Sequence, residues 1–182
     1  MISALIFIVH AFSQLFLFIL LLRFWLPWFG ADFRNPISQA ILRITSPLVV
    51  PLRRIIPPIG RIDTSTLIVA FAVQYLAILI ILALGSTSAT IAQIALTSIL
   101  DLAMLSIRLF ILAIFIGIIL SWIAPHNINP ATMFIRTISE PLLRPFRRMI
   151  PAMGGIDISP VFALILLGAL SILLAELRPL GI

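Results

Sequence analysis

The 182-residue chain is 62% hydrophobic and only 10% charged, with a formal net charge of +6. Charged residues alone make up about a quarter of a soluble domain, so this composition excludes a soluble globular fold and indicates an integral membrane protein. With no cysteine, the chain itself offers no disulfide, thiolate metal site, covalent c-type haem attachment or thiol catalyst.

The first apolar stretch runs from Ile2 to about Trp28. It has no arginine before Arg23, no basic leading region and no small-residue cleavage site, so it is expected to stay as a membrane span and not to leave as a signal peptide. Next, Asn35-Pro36 predicts a helix N-cap followed by proline at the first helical position. Ile37, Ala40, Ile41 and Ile44 then follow the spacing of one helical face. With Arg43 off that stripe, the segment suits a short amphipathic helix lying in the headgroup layer. Pro47 is expected to end it, because the residue before proline is pushed out of the helical region. Pro51 and Pro57 follow, then Gly60 to supply a sharp turn. Arg53-Arg54 sits beside Ile55-Ile56, which fits either the interface or a shallow re-entrant turn. Asp63 precedes the returning span, Leu67 to Leu84, for which Ser65 is the expected N-cap.

The same succession then recurs ninety-four residues on: PLVVPLRRIIPPIGRID from Pro47 to Asp63 becomes PLLRPFRRMIPAMGGID from Pro141 to Asp157. The offset also pairs Trp28 with Trp122 and Asn35-Pro36 with Asn129-Pro130. A third apolar stretch, Ile94 to Ala124, leads to Ala131, Phe134, Ile135 and Ile138 at helical spacing, with Arg136 off the stripe. Pro141, Pro145, Arg147-Arg148, Pro151, Gly154 and Asp157 follow, with Ser159 as expected cap and Pro160 opening a fourth span, Val161 to Leu174. The expected fold is an all-α membrane protein with four transmembrane helices at about 2–28, 66–84, 94–124 and 160–175. They form two tandem repeats, residues 1–92 and 93–182. Two crossings per unit make the repeats parallel and not inverted.

All twelve basic residues are arginine, and nine lie at 34–61 or 136–148, whereas the Gly85–Gln93 loop has none. Basic residues concentrate in cytoplasmic loops, so both proline- and arginine-rich segments are expected on the cytoplasmic side and both termini on the other. Planar guanidinium forks at Arg53, Arg54, Arg147 and Arg148 suit phosphate or carboxylate. Either they set topology and contact anionic headgroups, or they meet a dedicated partner, a membrane protein or a second copy of this chain. Asp63 and Asp157 are expected to favour the helix N-terminal dipole or to pair with the arginine doublet of their own segment, locking the turn. Inside the membrane, Asp101 and Arg108 lie seven residues apart on nearly one face, with Gln14 at the position matching Arg108 and Gln74 further along. Charge at depth is costly. This set is read either as structural glue between the halves or as the lining of an ion or solute path. Arg23, near a span end, is placed to snorkel. His10 and His126 fall at opposite ends of their spans, so they share no ion. No metal, cofactor or catalytic motif is expected, and without a stacking platform for bases no nucleic acid either.

The run Trp122, Asn129-Pro130, Pro141-Leu-Leu-x-Pro-x-Arg147-Arg148-x-Ile-Pro151, Gly154-Gly-x-Asp157-x-Ser159-Pro160 resembles the YggT family of bacterial membrane proteins, which has plastid relatives. The first half matches less fully, with Arg61 where the second has Gly155 and Thr64-Ser65-Thr66 where the second has Ile158-Ser159-Pro160. The resemblance implies a bacterial inner membrane location and gives two functional leads. Plastid members are similar to factors for covalent haem attachment in cytochrome b/f assembly, and bacterial members are connected with osmotic stress and cation uptake. It carries over no ligand or catalytic residue. The expected function is a membrane scaffold or assembly factor that presents arginine-bearing segments to a partner or to anionic lipid. The alternative is a small channel or transporter component.

Overall fold

A computed structural model describes residues 1–123, 129–149 and 157–180. The sequence features at His126, Pro151 and Gly154 lie outside them. The described chain is helical, with no strand: α1 Ile2–Trp25, α2 Pro36–Arg53, α3 Thr64–Leu84, α4 Ile91–Ile123, α5 Pro130–Met149 and α6 Ser159–Glu176. Four of these, α1, α3, α4 and α6, are long and apolar enough to cross a membrane. At 1.5 Å per residue, the 24 residues of α1 rise about 36 Å and the 33 of α4 about 50 Å. A hydrocarbon core is only about 30 Å thick, so α4 has length to spare for tilt or overhang.

The end of α1 meets the start of α3 through Arg23 and Asp63, and α3 turns back into α4 through a tight loop in which Ser86 takes a positive φ of 53°. The spans therefore alternate in direction. Because α2 joins α1 to α3 and α5 joins α4 to α6, both connecting helices lie at the same end of the bundle. Their starts touch, Asn35 Nδ2 donating to the Pro130 carbonyl at 2.7 Å.

Packing centres on α4. Half of its most apolar window is buried, against 17% for α1 and α6, and it contacts α1, α3, α5 and α6. One core combines Leu17, Leu20, Val49, Val69, Leu105, Leu109 and Ile138, drawn from five helices. A smaller cluster of Ile114, Leu143 and Ala163 serves α4, α5 and α6. The two halves are joined by aromatic rings: Trp25 lies edge-on to Phe110 at 5.0 Å and stacks on Phe29 at 5.8 Å, while its indole N–H donates to Ser106 Oγ at 3.2 Å. Outward faces carry Phe7, Phe12, Leu15, Leu112 and Phe115, as expected of side chains whose solvent is lipid.

Three sequence expectations change. First, Pro47 and Pro141 do not end their helices. α2 continues through Pro47 and Pro51 to Arg53, and α5 through Pro141 and Pro145 to Met149. Proline inside a helix deletes one i→i−4 bond and crowds the carbonyl four residues back. All four prolines are exposed, so those carbonyls are freed on an outer face and not in the core. Second, the cap of α3 is Asp63, whose side chain accepts from the Thr66 amide at 3.3 Å. Ser65 instead donates to the Ile56 carbonyl at 2.6 Å, and Ser159 is the first residue of α6. Third, α1 ends at Trp25, leaving Trp28 in the following turn.

Candidate functional site

Each connecting segment closes on its aspartate. In the first half, Pro57 turns the chain away from α2, and Gly60, at φ +60°, occupies a four-residue turn closed by reciprocal hydrogen bonds between Ile59 and Ile62 at 3.1 and 3.0 Å. An L-residue adopts that φ only with strain, so the glycine is required for the turn. Thr64 Oγ1 donates to the Pro57 carbonyl at 2.8 Å. The turn delivers Asp63, 5% exposed, to Arg53, whose Nη2 donates to Oδ2 at 2.7 Å. Thr66 Oγ1 donates to the same oxygen at 2.8 Å.

A second cation enters from below. Arg23 is 4% exposed, so it does not snorkel to open surface. Its Nη1 donates to Thr45 Oγ1 at 2.9 Å and Ser46 Oγ at 3.3 Å, and its Nε lies 3.8 Å from Asp63 Oδ2, beyond hydrogen-bond reach. That Nε has no hydrogen-bond partner among the described residues. The first lock thus holds two cations against one carboxylate, tying α1, α2 and α3 together.

The second half answers with different residues at matching positions. Arg147, the counterpart of Arg53, donates from Nε to Asp157 Oδ2 at 2.7 Å and from Nη1 to both oxygens of Glu140 at 2.5 and 2.6 Å. Glu140 stands where the first half has Ser46, and Gly117 stands where it has Arg23. A Cβ on Gly117 would lie 3.3 Å from Ser139 Oγ, so α4 approaches α5 where α1 instead sends an arginine into α2. This lock holds one cation against two carboxylates and is open to solvent, its three side chains being 41%, 35% and 50% exposed. Burial alone would raise the Asp157 carboxyl. Hydrogen bonds from Ser159 and Arg147, with the charge of Arg147, outweigh burial and hold it below the ordinary carboxylate range.

The doublets therefore divide their work. Arg53 and Arg147 are consumed by the locks, whereas Arg54 and Arg148 are exposed and make no hydrogen bond or ion pair among the described residues. Arg43 is likewise exposed, and Arg136 is exposed but engaged. Asn35 accepts from the Ile37 amide at 2.9 Å and Asn129 from the Thr132 amide at 2.8 Å, so both Asn-Pro pairs open their helices. Trp28 and Trp122 are both exposed.

Of the four intramembrane polar residues, the fold joins two. Gln74 Nε2 donates to Asp101 Oδ2 at 2.8 Å. Arg178, overlooked in the sequence, completes the group by pairing with Asp101 Oδ1 at 2.8 Å. Its signal was position: it is the only basic residue after α6. Gln14 is half-buried without a hydrogen bond among the described residues. Arg108 points to the outside of α4, the countercharge for Asp101 coming from Arg178. A groove of about 520 Å³ between α1, α3 and α4 is lined by Phe24, Trp25, Leu67, Phe71 and Leu102 and is nearly all apolar. Among the described residues no cluster of acidic or histidine side chains suits a metal.

Four apolar spans and the duplicated loop locks define a class: an internally repeated, all-helical membrane protein. The CCB3/YggT family model matches the chain twice, over residues 2–84 and 96–178, and the chain belongs to that family. It is 43% identical to the uncharacterized protein PA0392 of Pseudomonas aeruginosa over 173 residues, 94% of this chain and 88% of that one. It is 34% identical to the uncharacterized protein YggT of Escherichia coli strain K12 over 175 residues, 96% and 90% of the two chains. An uncharacterized Haemophilus influenzae protein shares 36% over 149 residues, 82% and 79% of the two chains. No solved structure matches significantly.

Proposed function

We propose that the chain is a non-enzymatic scaffold of a bacterial inner membrane. Its α2 and α5 ends lie in the cytoplasmic headgroup layer, both termini lie on the opposite side, and Arg54 and Arg148 engage the phosphate of anionic or zwitterionic lipid. The observation that carries this reading is the division within each doublet. One arginine of each pair is spent on an internal aspartate, while its neighbour is exposed and makes no hydrogen bond or ion pair among the described residues. A topology signal alone needs positive charge. It does not need an unpaired arginine beside a paired one at the same place in each repeat. Near an anionic surface each arginine contributes about 1 kcal/mol, so a pair at matching positions of the two repeats gives orientation as well as affinity.

Photoreactive side chains at the exposed neighbours Ile55 and Met149, activated in native membranes, test the occupant. Phospholipid adducts are expected at both. A discrete protein adduct at both, whether a partner membrane protein or a second copy of the chain, would replace lipid as the occupant.

A second reading, a channel or transporter component, is favoured by the Gln74–Asp101 pair inside the spans, which Arg178 meets from beyond the end of α6, and by the Gln74 Oε1 atom, buried without a hydrogen-bond partner among the described residues. The pairing of Asp101 and the apolar lining of the groove between α1, α3 and α4 weigh against it. Ion flux in proteoliposomes that is lost in Asp101→Asn would establish this reading, and its absence in the wild type would remove it.

A further inference from the structure

Pro47 and Pro51 stand four residues apart inside α2, and Pro141 and Pro145 repeat the arrangement inside α5. Each proline lacks the N–H that would close a bond to the carbonyl four residues earlier. The freed acceptors are thus the carbonyls of Arg43 and Pro47 in α2, and of Thr137 and Pro141 in α5. Residues one helical turn apart share a face, and Arg43, Pro47, Pro51 and Arg54 are all exposed. In α2 the freed carbonyls therefore lie along the same outer stripe as two guanidinium groups, and in α5 Pro141, Pro145 and Arg148 are exposed in the same register, with Thr137 half-buried.

Neighbouring hydroxyls do not rescue them. Thr45 and Ser46 donate to the carbonyls of Ile41 and Leu42, and Thr137 and Ser139 donate to those of Met133 and Ile135. No side chain among the described residues donates to Arg43, Pro47, Thr137 or Pro141. Each stripe thus offers two acceptors about 6 Å apart along the axis. An unpaired arginine, Arg54 or Arg148, lies three residues beyond the second proline.

A lone anion would satisfy the guanidinium and leave the carbonyls open, while a lone cation would do the reverse. What fits both is a headgroup carrying a phosphate and strong N–H donors a few bonds apart. We propose that each proline stripe is a binding site for the phosphoethanolamine headgroup of phosphatidylethanolamine, its ammonium donating to the freed carbonyls and its phosphate accepting from Arg54 or Arg148. The proposal rests on the lipid-engaging reading above and names its ligand. It also gives the prolines a role that neither topology nor turn formation requires, since both helices continue through them.

The test uses the full-length protein exchanged into mixed micelles of phosphatidylethanolamine, its N-monomethyl and N,N-dimethyl derivatives, or phosphatidylcholine, all with the same acyl chains. Retained lipid is counted by native mass spectrometry. Successive methylation removes N–H donors while keeping the phosphate and the positive charge. Wild type is expected to retain phosphatidylethanolamine about fivefold over phosphatidylcholine, with the derivatives graded between, the ratio that follows from roughly one net hydrogen bond. The variant Pro47→Ala, Pro51→Ala, Pro141→Ala, Pro145→Ala restores the helical N–H groups and favours helix, so it is expected to fold and to lose that preference. Arg54→Gln with Arg148→Gln is expected to lose both lipids together. Equal retention of the four lipids by wild type, or an unchanged preference in the proline variant, overturns the ethanolamine site while leaving the arginine reading standing. Undiminished retention in the arginine variant overturns the reading itself.

Discussion

The first lock buries its carboxylate and the second leaves its carboxylate open, although both are built from the same arginine and aspartate at a ninety-four-residue offset and their arginines are about equally exposed. In the first, Asp63 is 5% exposed and faces both Arg23 and Arg53. In the second, Asp157 is 35% exposed and shares Arg147 with Glu140. The duplication kept the connection and moved the charge balance. Where an arginine rises from α1 in one half, a glycine lets α4 close on α5 in the other, and Glu140 on α5 adds a second carboxylate against the one arginine that remains. What the two halves share is the Arg–Asp pair at matching positions, and what differs is the shell of charges around it.

The largest effect should come from breaking the buried lock. Asp63→Asn keeps the cap oxygen but leaves Arg23 buried with no countercharge, and losing one partner of a buried pair costs about 3–5 kcal/mol. Thermal unfolding in detergent should show a large drop in midpoint. A drop no greater than that of the matching change in the second half would erase the distinction between the locks.

That matching change, Asp157→Asn, should cost within about 1 kcal/mol, as solvent-open ion pairs do. Its pH dependence carries a definite sign. The folded carboxyl is depressed, so its stabilisation is fully present above the unfolded value of about 3.9. It is lost as pH falls through the lower folded value. The stability gap between wild type and Asp157→Asn should therefore be constant near neutrality and shrink below about pH 4. A gap that widened on acidification would reverse the assignment.

The smallest effect is expected at Gly117. Replacing glycine by alanine in a helix gains up to about 1 kcal/mol. The new methyl would meet Ser139 Oγ at 3.3 Å, displacing a hydroxyl bonded to the Ile135 carbonyl at a cost of about 1 kcal/mol. Gly117→Ala should leave the unfolding midpoint nearly unchanged, whereas a bulky side chain there should part α4 from α5 and shift it clearly.

Much of the architecture was legible because hydrophobic run length and exact recurrence are one-dimensional signals. The four spans, the Asn-Pro helix starts, the Gly60 turn and the pairing of each aspartate with its own doublet all follow from local order. The fate of the prolines was not legible. Whether Pro47 ends a helix depends on which face receives the orphaned carbonyl, and that face is set by packing against α1 and α3. Arg23 was misplaced for a related reason, since its inward turn depends on Thr45 and Ser46, more than twenty residues away. Arg178 answers Asp101 from seventy-seven residues away, a pairing that no periodicity within α4 signals.

The central claim is that each doublet contains one structural and one ligand-facing arginine. The most direct measurement compares Arg53→Ala with Arg147→Ala against Arg54→Ala with Arg148→Ala, reading the unfolding midpoint and the co-purified phospholipid of each purified protein. The first pair is expected to lower the midpoint, and the second to leave the midpoint in place while stripping bound phospholipid. Equal effects of the two pairs on both readouts would contradict it.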